Sequence, residues 1–305
     1  MLLLPSLRQL LFQLDRMEKF SEKVKRGLRV LKSFITGLTV KYHDLEIYLD
    51  IDPEIGTADS GDLEADLPYL FEAIAEAALE RKTAIAIIID ELQYLSEQEL
   101  SALIMAIHRI AQKKLPLLLV GAGLPQLIGL TGRSKSYAER LFDFHRVGPL
   151  EKLDAIIAIR DPIREQGANI TEDALEEIVR QTQGYPYFLQ EWGYQAWNLT
   201  KKSPIDFTTV VQATTASILC LDNGFFRVRF DRLTPREKEY LYALANLGSG
   251  PQRSGDIAEQ LQASAQSAAP IRNSLIKKGM IYSPTHGLTE FTVPLFGDFM
   301  KRIWR

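Results

Sequence analysis

Residues 84–95 read AIAIIIDELQYL: six apolar side chains from Ala84 to Ile89, then two adjacent carboxylates, Asp90 and Glu91. An unbroken apolar run of this length lacks the alternation of a half-solvated strand. It reads instead as a strand covered on both faces, the usual state of a parallel sheet flanked by helices. The carboxylates fall where such a strand leaves its sheet. Immediately downstream, Ser96 and Glu99 have the spacing of a capping box, and Leu100, Leu103, Ile104 and Ile107 form the apolar stripe of the helix that the box would start. Immediately upstream, LEADLPYLFEAIAEAALER (63–81) predicts another helix. Helix, strand and helix in succession form the crossover unit of an α/β fold.

Beyond that unit, Pro116 to Val120 predicts a second strand. It ends in Gly121-Ala122-Gly123, where a glycine pair lets the backbone turn tightly beneath a ligand or simply leave the sheet. A helix containing SYAERLF (136–142) leads to a third predicted strand at Phe142 to Val147. On the N-terminal side, Leu7, Leu10, Leu11 and Leu14, then Val24, Leu28, Leu31 and Ile35, recur at helical spacing. Leu38 to Asp50 alternates weakly, as a hairpin would, and Pro53, Gly56 and Gly61 mark a loop.

From Pro149 to about Leu221 the pattern is helical, with Thr171 as an N-cap before Leu175, Ile178 and Val179 and with Gly184 as a stop. FFRVRFD (225–231) predicts an extended connector. Thr234-Pro235-Arg236-Glu237 then combines an N-cap, a proline at the first helical position and the capping-box acid. Helical patterns follow in RSGDIAEQL (253–261) and SAQSAAPIRNSLIKKG (264–279), where Pro270 favours Ser267 over Ser264 as N-cap. Two strands, Met280–Ser283 and Leu288–Val293, flank the turn Pro284-Thr285-His286-Gly287. Three helices and a β-hairpin have the layout of a winged helix.

The 305 residues are 46% hydrophobic and 25% charged, enough to bury a substantial core in two or three domains. The single cysteine, Cys220, forms no internal disulfide, which fits a reducing, cytoplasmic setting and excludes a cysteine-rich zinc site. MLLLPSLRQLLFQLDR has no basic leader before its apolar run, and no stretch approaches the ~20 apolar residues that span a bilayer, so neither secretion nor a membrane partner is expected. The net charge of −3 is uneven: residues 231–305 hold ten Lys/Arg against seven Asp/Glu, or +3, leaving −6 for residues 1–230. A mildly basic C-terminal module is compatible with nucleic acid without demanding it. His43, His108, His145 and His286 are scattered and read as structural or surface residues, and the aromatic residues from Tyr185 to Trp197 read as packing.

The run ending in Asp90-Glu91 is similar to a Walker B strand. With the next strand, a helical lid and a winged-helix layout following in that order, residues 62–305 resemble the prokaryotic AAA-type P-loop ATPases of the origin-recognition and STAND groups. Gly184-Tyr185-Pro186-Tyr187-Phe188-Leu189-Gln190 resembles the G-x-P lid motif of STAND ATPases, in which the proline lies against the nucleotide base. SYAERLF followed by FDFHRVGPL is similar to the region where related ATPases place an arginine finger, and Arg140 is the matching residue. The resemblance implies an N-terminally incomplete P-loop α/β domain at 1–148, a helical lid and connector at 149–230, and a winged helix at 231–305. It implies ATP or ADP with Mg²⁺ as cofactors. Asp90 would hold the metal through water, Glu91 would orient the attacking water, and Gly184, Tyr185 and Pro186 would meet the nucleotide. Arg140 would complete the site of a self-associated neighbour, and the whole would act as a nucleotide-controlled switch.

The chain departs from that family in two places. No G-x-x-x-x-G-K-[ST] occurs anywhere in it, and Gly121-Ala122-Gly123 supplies no Asn or Thr at the usual sensor 1 position. Either the sequence begins downstream of the true start or the subunit is degenerate; both weaken the expectation of hydrolysis. Plainer readings exist for each motif: an acidic strand end entering a capped helix, a helix stop followed by a proline-started helix, a solvated helix arginine. The rival function is a non-enzymatic DNA-binding or adaptor protein. There Arg272, Asn273, Lys277 and Lys278 would meet DNA from the third helix with His286 in the turn, or the same module would meet a partner protein.

Overall fold

The computed structural model describes residues 3–15, 22–39, 51–125, 127–134 and 138–304. They form two compact units, residues 1–144 and 145–305. The hairpin expected over Leu38 to Asp50 falls largely on residues 40–50, outside the described residues; Leu38 itself belongs to a helix.

The first unit opens with α1 (Leu3–Asp15) and α2 (Glu22–Thr39) and continues, after the loop at Pro53 to Gly61, into α3 (Leu63–Glu80). Asp62 caps α3 by accepting from the Glu64 amide at 3.1 Å. Then come β1 (Ile85–Ile89), a 3₁₀ turn at Leu92–Tyr94, α4 (Glu97–Lys113), β2 (Leu117–Gly121), α5 (Leu127–Ser134) and the short α6 (Ala138–Leu141). The capping box of Ser96 and Glu99 starts α4 as expected. Strands β1 and β2 run parallel, with Ile85 opposite Leu117 and Ile89 opposite Gly121. One core contains Leu31 and Phe34 of α2, Leu70, Phe71 and Ile74 of α3, Ile85 and Ile87 of β1, and Leu103 and Ile104 of α4. Glu72, only 7% exposed, ties α3 to α4 by accepting from both Arg109 and Lys113. The alternate side chains of the sheet face outward, with Ile88 76%, Leu118 61% and Val120 48% exposed. The apolar run of β1 is therefore covered on one face only.

The second unit begins with α7 (Lys152–Glu165), α8 (Glu172–Thr182), α9 (Pro186–Leu199) and α10 (Phe207–Leu221). A π turn at Asp222–Phe226 and α11 (Arg227–Asp231) prolong α10 into one helical path. After it come α12 (Pro235–Asn246), β3 (Gln252–Arg253), α13 (Ser254–Gln260), α14 (Ala265–Lys277), β4 (Ile281–Tyr282), β5 (Leu288–Phe291) and α15 (Phe296–Ile303). The small sheet has the order β3-β5-β4 and is antiparallel. A single apolar core runs from Ile159, Phe188 and Trp192 through Phe226 and Phe230 to Tyr240, Leu275, Phe296 and Phe299, so the expected lid and the C-terminal helices share one interior.

Three further expectations fail. Phe142 to Val147 is not a strand: none of the described strands pairs with it, and Val147 is 94% exposed. Apolar alternation without a neighbouring backbone does not make a strand. Phe225 to Asp231 is helical, not extended. Period two would bury Val228 with Phe226 and Phe230; instead Phe226 and Phe230, four residues apart, are 1% and 8% exposed while Val228 is 52% exposed. Third, Ser264 caps α14, accepting from the Ser267 amide at 3.1 Å. Pro270 sits inside this helix, giving up one backbone hydrogen bond that the burial of Ala268 and Leu275 outweighs. Strand β3 and helix α15 lay outside the sequence reading altogether.

Candidate functional site

Asp90 and Glu91 follow the last residue of β1, and both are exposed. Asp90 Oδ1 turns back to accept from the Glu91 amide at 2.7 Å, leaving Oδ2 facing solvent. Glu91 adopts the left-handed conformation, φ 56° and ψ 39°, which costs a non-glycine residue about 1 kcal/mol and is held by what surrounds it. Gln93 donates to the Glu91 carboxylate, and its own Oε1 accepts from the Leu124 amide at 3.0 Å. Leu92 is buried; its amide donates to Ala122 O at 2.9 Å, and the Ala122 amide donates to Ile89 O at 2.9 Å. The carboxylate pair thus stands on a turn latched to the end of β2.

That latch explains the glycine pair. A Cβ on Gly121 would lie 2.2 Å from Leu92 Cδ1, and one on Gly123 would lie 2.7 Å from Gln93 Oε1. Here the glycines admit the turn that carries Asp90 and Glu91, and the close approach is to protein atoms. Among the described residues no cluster of three or more His, Cys, Asp or Glu side chains is placed to hold a metal. The free Asp90 oxygen nevertheless suits an ion such as Mg²⁺, which keeps its waters and takes one or two carboxylates beside phosphate oxygens.

Arg140 lies exposed on α6 in the same unit. Gly184, Tyr185 and Pro186 lie in the second unit, between α8 and α9. Gly184 has φ +72°, and a Cβ there would sit 2.3 Å from the Leu150 carbonyl oxygen. The Leu150 amide in turn donates to Gly184 O at 2.9 Å. Tyr185 is the N-cap residue and Pro186 opens α9, exposed at its first position. Beside them Tyr187 stacks on Phe225 at 4.8 Å between ring centroids, and the Arg229 guanidinium covers Phe225 at 3.7 Å. Phe188 and Trp192 are fully buried, as packing residues should be, whereas Tyr187, Tyr194 and Trp197 are exposed, so the packing expectation holds for only part of the run from Tyr185 to Trp197.

The four candidates for nucleic acid divide. Asn273 and Lys277 are exposed on α14. Arg272 is turned inward: its Nε donates to Thr289 Oγ1 at 2.9 Å, and its Nη2 donates to Ser283 Oγ at 2.9 Å and Leu288 O at 3.1 Å. Lys278 donates to Glu237 at 2.7 Å and to Arg232 O at 3.2 Å. Burial alone would raise the Glu237 carboxyl, but Lys278, the Thr234 amide and the Ser274 hydroxyl outweigh it and hold its pKa at about 2. The capping-box spacing located Glu237 in the sequence. Nothing there tied it to Lys278, forty-one residues away.

The fold is that of a P-loop NTPase-like protein. The Walker-type ATPase PABY2304 of Pyrococcus abyssi aligns with 86% of this chain and 74% of its own at 18% identity, with a TM-score of 0.54. The RuvB Holliday junction branch migration motor of Thermotoga maritima is a weaker likeness, at 17% identity over 72% of this chain and 79% of that one, TM-score 0.41. Residues 223–300 match a family described as a domain of unknown function, DUF8462. No curated protein matches the sequence.

Proposed function

We propose that the chain is a nucleotide-responsive module of the AAA or STAND type. In this reading the Asp90-Glu91 end of β1 faces the Mg²⁺–phosphate end of ATP or ADP, and the second unit passes the nucleotide state to a partner. What supports it is the placement of two exposed carboxylates at the C-terminal end of a parallel strand, on a turn fixed by Gln93 and Leu92, in a P-loop NTPase-like fold. Open α/β sheets receive ligands at that end of their strands. Asp90 contributes one carboxylate through water, Glu91 orients a water, and Arg140 serves the site of a second copy. The division 1–148, 149–230 and 231–305 and the winged-helix character of the last part belong to the same proposal.

Titration of the purified chain with a fluorescent ATP analogue, with and without Mg²⁺, tests it. Saturable Mg²⁺-dependent binding that Asp90→Asn weakens is the expected result. Binding that ignores both Mg²⁺ and Asp90 would sink the reading.

A second reading, an adaptor whose ATPase core is scaffold, draws on the absence of any G-x-x-x-x-G-K-[ST] and on the inward turn of Arg272. With Arg272 and Lys278 engaged inside the unit, a protein-facing role suits the C-terminal module better than a DNA-reading one. Fluorescence anisotropy with duplex DNA at several salt concentrations separates the two, because phosphate contacts release counterions and give a steep salt dependence.

A further inference from the structure

Between α14 and the Ser283–Gly287 turn lies an open cleft of about 270 Å³. Tyr240, Ser254, Ala268, Arg272, Ser283 and His286 are among the residues that line it, and among the described residues no Asp or Glu does. Arg272 is fixed there by its three internal hydrogen bonds, made through Nε and Nη2. Its Nη1, with two N–H donors, is left for whatever enters. The Tyr240 hydroxyl, on a residue 1% exposed, has no hydrogen-bond partner of normal geometry, although Thr289 and Arg272 lie near it. A buried hydroxyl without a partner costs stability, and native proteins rarely leave one so. Burial also raises the Tyr240 phenol above its ordinary range, so it stays a donor at neutral pH. His286 stands exposed at the mouth.

We propose that this cleft binds a single phosphoryl group through Arg272 Nη1, the Tyr240 hydroxyl and His286. Donors converge from three side chains without an opposing carboxylate, which suits an acceptor-rich anion. A guanidinium held by other bonds is preorganised and loses little freedom on binding. The volume admits one small group and not a dinucleotide. The cleft belongs to the second unit and Asp90 and Glu91 to the first, and the proposal does not depend on the nucleotide reading.

The test uses the full chain and inorganic phosphate at constant ionic strength, with chloride as reference, followed by NMR or calorimetry. Tyr240→Phe and His286→Ala remove donors without touching the bonds that hold Arg272, and a thermal melt confirms that each variant folds. Saturable phosphate binding, weakened roughly threefold to tenfold by each variant, is the expected result. Absence of saturable binding, or equal binding by both folded variants, overturns the proposal. A parallel titration with a duplex oligonucleotide identifies the source. If both variants also weaken duplex binding, the phosphoryl group is a nucleic-acid backbone's; if duplex binding is absent or unchanged, it belongs to a free phosphorylated ligand.

Discussion

Lys278 donates to Glu237 at 2.7 Å, joining the end of α14 to the capping box that starts α12. Glu237 is 4% exposed and also accepts from Ser274 Oγ at 2.7 Å and from the Thr234 amide at 2.7 Å. A lysine that the sequence offers to DNA is thus first a clamp between two helices.

Removing that clamp should therefore unfold more than it unbinds. Lys278→Met should cost about 1–3 kcal/mol, because Glu237 keeps its charge and two hydrogen bonds but loses its cation. Lys277→Ala, one residue earlier and exposed, should cost under about 0.5 kcal/mol. Urea unfolding of both variants checks this; equal stability would mean that the pair contributes nothing.

The same carboxylate predicts an acid limb. Its folded pKa of about 2 lies below the ordinary 4.5, so between those values the unfolded chain binds the extra proton. The stabilisation is fully present above pH 4.5 and is lost as the pH falls toward 2, with a total on the order of 3 kcal/mol. Glu237→Gln should flatten stability against pH in that window. A wild-type curve already flat there would contradict the assignment.

Two glycines of nearly equal φ separate conformational strain from steric conflict. A Cβ added at Gly167 (φ +75°) would meet no atom within 4 Å, whereas one added at Gly184 (φ +72°) would meet the Leu150 carbonyl oxygen at 2.3 Å. Gly167→Ala should cost about 1 kcal/mol from the left-handed backbone alone. Gly184→Ala should cost at least about 2 kcal/mol, since backbone must move. Equal losses by calorimetry would show that the loop at Leu150 yields freely.

The 305-residue chain should show no steady ATP turnover, because a phosphate-cradling loop supplies several backbone N–H donors and a lysine, and this sequence has no match to it. A coupled phosphate-release assay decides the matter, and turnover abolished by Glu91→Gln would reveal a working water-orienting carboxylate and an unrecognised phosphate site.

Local chemistry settled what depends on nearest neighbours along the chain. The capping boxes at Ser96 and Thr234, the apolar run of β1, the stop at Gly184 and the proline start of α9 were legible because each rests on residues within a few positions of one another. Periodicity failed where two periods fit equally: FFRVRFD alternates at two, yet Phe226 and Phe230 also lie four apart, and only the interior supplied by Phe296 and Phe299 selects the helix. Phe142 to Val147 needed a partner strand that no local pattern can provide. The candidate site divides in the same way. Asp90 and Glu91 announced themselves by adjacency at a strand end, but the Gln93 latch to Leu124 and the reason for Gly121 and Gly123 appear only when the ends of β1 and β2 are brought together. The inward turn of Arg272 and the clamp of Lys278 likewise belong to tertiary structure. A charged side chain carries no mark of its partner in the sequence, and long-range pairing is decided by which backbone segments the core draws side by side.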